Sequence, residues 1–235
     1  YEYKDMAILL RVSAISLAFE QALMSYNIPY NFYGGFKFFE RAEIKNIIAY
    51  LRLFVNPKDD ISFARIINFP KRGIGDGTLA KLGELNKNCS LLENCIGEEI
   101  KTSALYKKFQ PFAEAFNNVK LKSQKPLSSF VEEVLSEFNV RDSYNQNIEE
   151  DVDKIMNIDQ FVASVKEFEA LNPDAGLNEF LENITLSSEN DEIGQGGAVT
   201  IATVHAVKGL EFKVVFVIGL EEGIFPIKRA TSITD

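Results

Sequence analysis

A hydroxyl, an imidazole, an ammonium and a carboxylate lie within one short stretch of this sequence, from Thr203 to Phe212. The stretch follows a run of apolar and β-branched residues that is typical of a buried strand. Loops at the carboxyl ends of parallel strands are where α/β sheets bind ligands. Threonine and histidine can contact phosphates or bases, lysine neutralises phosphate, and a carboxylate accepts hydrogen bonds from ribose hydroxyls. A ligand-binding loop and a polar loop that only reverses the chain both fit this pattern.

Residues 70–79 form a second candidate, built around the sequence Gly73-Ile74-Gly75. Such a turn between two helices exposes backbone N–H groups, and the following helix adds the positive end of its dipole. Lys71 and Arg72 are expected to supply mobile positive charge. The pattern predicts a hairpin that holds a nucleic-acid backbone without reading its sequence. A plain connection between two helices is the alternative.

Aromatic and basic residues alternate between residues 33 and 45, where Lys37, Arg41 and Lys45 interleave with tyrosine and phenylalanine. Aromatic side chains beside positive charges are typical of surfaces on which single-stranded bases stack. Aromatic residues near the start of a helix are also typical of a protein core, with the charges on a solvated face. The sequence leaves both interpretations open.

Several kinds of active site are excluded by the sequence itself. It contains no G-x-x-x-x-G-K-[ST] phosphate loop, no G-x-S-x-G and no H-E-x-x-H. One histidine with Cys89 and Cys95 cannot build a Cys/His zinc site, so no metal site is predicted, and the cysteines are expected to be free thiols. The chain therefore carries pieces of a site rather than a complete catalytic constellation.

Composition describes an ordinary globular protein, with 46% hydrophobic and 25% charged residues over 235 positions. The net charge of −9 is concentrated in the middle of the chain and argues weakly against a nucleic-acid partner, although an average hides local patches. No apolar run reaches the roughly 18 residues that span a bilayer, and the N-terminus does not resemble a secretory signal. Because the chain lacks an initial methionine, we expect an excised fragment.

The apolar patterns predict strands at both ends of the chain and helices between them. The predicted strands are 6–10, 30–33, 198–203 and 214–218, and those at 6–10 and 214–218 are expected to be buried on both faces. The predicted helices are 13–26, 40–55, 61–68, 79–86, 104–119, 127–138, 152–171 and 177–186. Asp60 and Thr78 are the expected caps of the third and fourth of these helices. A parallel-sheet α/β domain interrupted by a long helical insertion explains this order, with the glycine pairs 34–35 and 196–197 as crossing points.

Taken together, these stretches resemble the UvrD/PcrA/Rep family of superfamily 1 DNA helicases. The matching stretches run in family order along the chain: 7–11, 33–45, 49–53, 56–60, 65–68, 72–76, 203–212 and 219–226. The most specific is 203–212, which resembles the family's motif V. The interval from about 85 to 195 is unspecific.

The resemblance implies an α/β architecture and a fragment of a larger motor. Residues 1–33 and 196–235 would form an incomplete second RecA-like domain, called 2A, and residues 34–195 its all-helical inserted subdomain, called 2B. The phosphate loop and the Mg²⁺-binding motif would lie upstream, so ATP and Mg²⁺ are expected in the full-length enzyme only. The resemblance implies an ATP-dependent 3′→5′ DNA helicase of repair or replication restart, with this chain inactive by itself.

Residue roles follow from the same resemblance. Lys208, Gly209 and Glu211 would lie at the nucleotide, with Glu211 on the ribose. Arg11, Lys45, Thr203 and His205 would contact single-stranded DNA. The duplex-holding hairpin would comprise Lys71, Arg72, Gly73, Ile74, Gly75 and Thr78. The chain departs from the family at Ala206-Val207 and at Val12-Ser13, where the family commonly has Ser-Ala and Thr/Ser-Asn.

Two other interpretations remain open at this point. The helical insertion, acidic overall, could be a regulatory module that binds partner proteins such as repair factors. The chain could also belong to a helicase–nuclease subunit, since those enzymes share motif V. The DNA helicase interpretation predicts a protein of the bacterial cytosol associated with the nucleoid, with DNA and not a membrane as its partner.

Overall fold

The computed structural model describes residues 1–122, 124, 126–189 and 197–221. The chain divides into two compact units. The sheet unit comprises Tyr1–Arg41 and Asn183–Asp235, and the helical unit comprises Ala42–Glu182. The second unit is therefore an insertion into the first, because both ends of the chain belong to the sheet unit.

The sheet unit contains a four-stranded sheet in the order β2-β3-β1-β4, with every neighbouring pair parallel. Its elements are β1 (Met6–Leu10), α1 (Ser16–Ser25), β2 (Tyr30–Tyr33), β3 (Val199–Thr203) and β4 (Val214–Val217). Strands pair across the interruption: Leu10 is opposite Thr203, and Tyr30 is opposite Val199. The two distant ends of the chain therefore build one sheet, which confirms the predicted α/β class with a parallel sheet.

The apolar core of this unit lies between the sheet and α1. Leu10, Tyr30, Val199 and Ile201 are buried, and side chains of α1 such as Phe19 and Leu23 pack against them.

The sequence prediction for β4 is wrong in one respect. Val215, Phe216 and Val217 are 46%, 53% and 47% exposed, whereas both faces of this strand were expected to be buried. Among the strands that the structure describes, β4 lies at the edge of the sheet and pairs with β1, so within this part of the chain no strand covers its other side.

The helical unit confirms the all-helical interior that the periodicity predicts. Its helices are α2 (Ala42–Val55), α3 (Asp60–Ile66), α4 (Asp76–Gly83), α5 (Leu91–Ile96), α6 (Tyr106–Lys120), α7 (Leu127–Glu137) and α8 (Glu149–Leu171), and α9 (Leu177–Glu189) continues into the sheet unit. Two cap predictions are wrong by a few residues. Asp59, not Asp60, caps α3 by accepting the N–H of Ser62, and α4 begins at Asp76 after Gly75, so Thr78 lies inside its first turn.

Aromatic rings form the centre of the helical unit. Tyr50 of α2 lies 4.5 Å from Phe138 and 6.4 Å from Phe112 between ring centroids, and Phe63 meets Phe112 edge-on at 5.4 Å. All four side chains are at most 2% exposed. Offset and edge-to-face contacts of this kind stabilise a core beyond the burial of their area.

Within the described ranges, no helix combines the length and the apolar composition that crossing a bilayer would need.

The division between the units does not fall at the predicted glycine pairs. It lies after Arg41, because the side chain of Arg41 is buried within the sheet unit and donates to Ser16 there. Of the second glycine pair, Gly196 lies outside the described residues. The identification of these units with the 2A and 2B ranges stays a prediction.

Candidate functional site

Three of the predicted DNA-contacting residues meet at the carboxyl edge of the sheet. Arg11 directly follows β1, Thr203 is the last residue of β3, and His205 lies two residues further on. The N–H of Val204 donates to the carbonyl oxygen of Leu10 at 2.8 Å, which joins the ends of the two strands. Parallel neighbours place their carboxyl ends side by side, so the fold brings these three residues to one edge.

A glycine fixes the loop that carries His205. Gly34, directly after β2, has a φ of +74°, and a Cβ built on it would lie 2.7 Å from the Cβ of Ala206. A side chain at position 34 would therefore collide with the loop as well as strain the backbone. The N–H of Ala206 also donates to the carbonyl of Thr203 at 3.0 Å. The loop is held from β2 on one side and from its own strand on the other.

The polar side chains of this loop differ in exposure. His205, Lys208, Gly209 and Glu211 are exposed, whereas Thr203 is half-buried. The imidazole, the ammonium and the carboxylate are thus accessible to a ligand without rearrangement.

Glu211 lies away from Thr203, toward the amino edge of the sheet. The segment after β3 returns to the opposite edge, because β4 is parallel to β1 and begins with Val214 opposite Met6. Lys213 marks this amino edge, where its Nζ lies 3.0 Å from Asp5 Oδ1. Glu211 lies two residues before it. The groups that crowd together in the sequence are therefore spread along the height of the sheet.

The structure divides the aromatic stretch 33–45 between the two interpretations that the sequence left open. Phe38 is fully buried and belongs to the core, whereas Phe36 is 66% and Tyr33 47% exposed. Lys45, predicted to contact single-stranded DNA, is exposed in the first half of α2 and belongs to the helical unit.

A buried charge network in the sheet unit was missed by the sequence analysis. Glu20 of α1 is 2% exposed and lies 3.7 Å from the guanidinium of Arg41, which is 6% exposed. Ser16 Oγ donates to Glu20 at 2.6 Å, and the backbone N–H of Phe38 donates to it at 3.0 Å. Arg41 also stacks near the ring of Phe38, 5.0 Å from its centroid. The network ties the segment that leaves the sheet unit to α1.

The hairpin at residues 70–78 presents the backbone of its glycines beside the exposed side chains of Lys71 and Asp76. Gly73 has a φ of +70°, which accounts for glycine there, whereas Gly75 has an ordinary extended φ of −100°. A Cβ built on Gly75 or Gly77 would meet no atom within 4 Å. No described neighbour therefore demands glycine at these two positions, and the backbone there is sterically accessible to a ligand. The Ile74 side chain is 3% exposed and anchors the turn.

Arg72 and Thr78, both predicted to contact duplex DNA, form hydrogen bonds within the chain, and their contact with DNA stays a prediction. Arg72 is not the mobile charge that the sequence predicted, because its Nη1 donates to the carbonyls of Ile67 and Phe69 at 3.2 and 2.7 Å. The N–H of Thr78 donates to the carbonyl of Gly75 at 2.9 Å. Lys71, in contrast, is exposed. Sequence alone cannot reveal the engagement of Arg72, because its acceptors are mainly backbone carbonyls.

Magnesium finds no ligand set here. Among the described residues, no group of three or more histidine, cysteine, aspartate or glutamate side chains converges. The described part of the chain therefore offers no Mg²⁺ ligand set of this kind.

Comparison with known proteins connects this geometry to a family. A family model of the UvrD-like helicase C-terminal domain matches residues 1–234. The chain is similar to the ATP-dependent DNA helicase PcrA of Leuconostoc citreum, with 38% identity over 97% of this chain and 32% of that protein. It is also similar to the proteins of the same name from Bacillus subtilis and Staphylococcus epidermidis, each with 38% identity. The chain spans about a third of the length of these relatives.

Proposed function

This chain belongs to the UvrD-like helicase C-terminal domain family, and from that premise we propose that it is part of an ATP-dependent DNA helicase. In this proposal the sheet unit is most of the 2A motor domain and the helical unit is the 2B insertion. The observation that carries the proposal is the meeting of Arg11, Thr203 and His205 at the carboxyl edge of a parallel sheet.

The proposal gives each region one ligand. Arg11, Thr203, His205 and, from the helical unit, Lys45 contact single-stranded DNA, while Lys208, Gly209 and Glu211 face the nucleotide. ATP supplies the free energy for translocation, and this chain contributes a carboxylate that accepts from the ribose hydroxyls. Movement with 3′→5′ polarity, action in repair or replication restart, repair-protein partners and a nucleoid-associated location in the bacterial cytosol belong to the same proposal.

The chain by itself should hydrolyse no ATP. Phosphoryl transfer requires a phosphate cradle, metal ligands and charge positioned on the transferring group, and the sequence contains no phosphate loop. The measurement is phosphate release by the purified 235-residue chain with and without single-stranded DNA. A complete polypeptide that includes this chain should show DNA-stimulated release and unwind a duplex with a 3′ tail. DNA-stimulated turnover by the 235-residue chain would contradict the proposal.

The hairpin should hold duplex DNA through Lys71 and exposed backbone. In the complete enzyme, Lys71→Ala should lower the slope of log affinity against log salt by about 0.9, the value for one lost phosphate contact. The measurement is a titration of duplex DNA at several salt concentrations. Lys81→Ala, which removes the same charge from the other end of α4, is the matched control and should leave the slope unchanged. Equal slopes for Lys71→Ala and the unmodified enzyme would reduce the hairpin to a connection between helices.

A further inference from the structure

Asn68 fixes the backbone of the hairpin on both sides of its left-handed glycine. Its Oδ1 accepts the N–H of Arg72 at 2.9 Å and the N–H of Ile74 at 3.1 Å. Gly73, between these two residues, has a φ of +70°. One side-chain oxygen therefore determines the direction in which this turn presents its backbone.

The guanidinium of Arg72 closes the end of α3 beneath the turn. Nη1 donates to the carbonyl oxygens of Ile66 at 3.1 Å, Ile67 at 3.2 Å and Phe69 at 2.7 Å. The last carbonyls of a helix lack partners within the helix, and they carry the negative end of its dipole. Nη1 serves these carbonyls while Nη2 of the same planar group donates to the hydroxyl of Tyr50, and the single ammonium of lysine has no second nitrogen to hold both sets of acceptors in one fixed geometry.

Tyr50 completes the arrangement from the core of the helical unit. Its hydroxyl accepts from Arg72 Nη2 at 3.0 Å and donates to the carbonyl of Phe69. Burial raises the pKa of Tyr50 to about 12, so the hydroxyl keeps its proton at neutral pH. The side chain is 1% exposed and lies against Phe138. Tyr50 is therefore shielded from DNA, and its hydroxyl contacts the turn through Arg72 and the carbonyls of Phe69 and Ile66.

We propose that Arg72, Asn68 and Tyr50 are positioning residues that hold the hairpin in its duplex-binding conformation. The inference rests on the proposed function, in which the hairpin contacts duplex DNA. Because the turn is already ordered in the free protein, DNA binding does not have to order it, and the entropic cost of binding falls. The charge of Arg72 acts inside the protein, and the contact with phosphate is left to Lys71 and the backbone.

Tyr50→Phe is the first test, because it removes one buried hydroxyl and leaves the surface unchanged. In the complete enzyme, we expect duplex affinity to fall about three- to ten-fold, the loss expected for one or two hydrogen bonds. Affinity for single-stranded DNA and the ATP hydrolysis that it stimulates should stay within about two-fold, since those contacts lie elsewhere in the proposal. A general loss of folding would lower all three quantities together.

Arg72→Lys is the second test, because it keeps the charge and removes the fork. A positioning role predicts that Arg72→Lys loses as much duplex affinity as Arg72→Ala, with the same salt dependence in both variants. A direct phosphate contact predicts that lysine retains the affinity, whereas alanine lowers the salt slope by about 0.9. Arg65→Ala is the matched control: Arg65 is an exposed arginine of α3 that donates to Asn46, and we expect this variant to bind duplex normally.

The outcomes separate the inference from the function on which it rests. If Lys71→Ala weakens duplex binding but Tyr50→Phe and Arg72→Lys bind normally, the hairpin contacts DNA and the positioning role is wrong. If Arg72→Lys keeps the duplex affinity while Arg72→Ala loses it, Arg72 contacts phosphate and the inference is again overturned. If Lys71→Ala, Tyr50→Phe and Arg72→Ala all bind duplex normally, the proposed duplex contact itself fails.

Discussion

Glu20→Ala should destabilise the sheet unit by about 3–5 kcal/mol, the cost of leaving one partner of a buried ion pair without its opposite charge. Arg41 would keep its charge at 6% exposure, and the N–H of Phe38 would lose its carboxylate acceptor. Such a loss is a large fraction of the roughly 5–15 kcal/mol that stabilises a typical domain. Hydrogen exchange measured by peptide suits this chain, since it reports the sheet unit and the helical unit separately.

The expected pattern is faster exchange in β1, β2 and β3, with little change in the central helices of the helical unit. Glu2→Ala provides the control, because Glu2 also forms an ion pair, with Lys4 at 2.5 Å, but is 56% exposed. Exposed pairs contribute roughly 0–1 kcal/mol, so this variant should behave almost as the unmodified chain does. Equal effects of the two substitutions would show that the Glu20–Arg41 network adds no more than a surface pair.

The double variant Glu20→Ala/Arg41→Ala refines the prediction. If the damage in Glu20→Ala comes from the stranded guanidinium, removing Arg41 as well should restore part of the lost stability. If the two losses simply add, the hydrogen bonds that Glu20 accepts from Ser16, Tyr30 and Phe38 account for its contribution instead. Either result concerns the same segment, residues 36–41, through which the chain leaves the sheet unit.

The strands were the most predictable part of this fold. Short apolar or aromatic runs predicted Met6–Leu10 and Tyr30–Tyr33 with the limits that the structure has, because runs of four or five residues are short for a helix and Pro29 and Gly34 bound the second of them. The exposure of β4 was not predictable in this way. An apolar run carries no information on whether a strand lies at the centre or at the edge of a sheet, and β4 lies at the edge.

Short helices depend on signals weaker than periodicity. The sequence analysis overlooked α5, which has only six residues from Leu91 to Ile96. A capping box was present to indicate it: Ser90 accepts the N–H of Glu93, and the Glu93 side chain accepts the N–H of Ser90. The longer helices were found because several turns repeat the same apolar face, and their ends differ from the prediction by only a few residues.

Some features of the candidate site can be predicted from residue types, whereas others depend on tertiary contacts that the sequence does not show. The carboxyl-edge position of Thr203 and His205 follows from recognising one strand and the residues after it. The role of Arg72 does not, because a basic residue before a glycine turn is equally compatible with a free charge and with a helix-end contact. Glu20 was hidden for the same reason: its partner Arg41 follows only after β2, and nothing local marks the pair as buried.

The two edges of the sheet should bind different ligands, and Glu211 and His205 are the residues that test this. Glu211→Ala in the complete enzyme should weaken nucleotide binding about ten-fold or more, while single-strand affinity without nucleotide stays nearly unchanged. His205→Ala should do the reverse. A hydrogen bond to a charged group contributes about 1.5–3 kcal/mol, which corresponds to a loss of roughly ten-fold or more in affinity. Each variant requires two titrations, one with a non-hydrolysable nucleotide and one with a labelled oligonucleotide.

The physical reason for the separation is the path of the chain between β3 and β4. His205 lies just after the carboxyl end of β3, whereas Glu211 lies three residues before β4 begins opposite Met6 at the amino edge. One segment then reaches both ligands, so movement of the segment when the nucleotide changes can alter the hold on DNA. Glu221→Ala is a suitable control for Glu211→Ala, since it removes an exposed carboxylate from beyond β4 and should preserve both affinities. Equal losses of both affinities in the His205 and Glu211 variants would contradict this separation and make the segment from Thr203 to Lys213 a single structural unit.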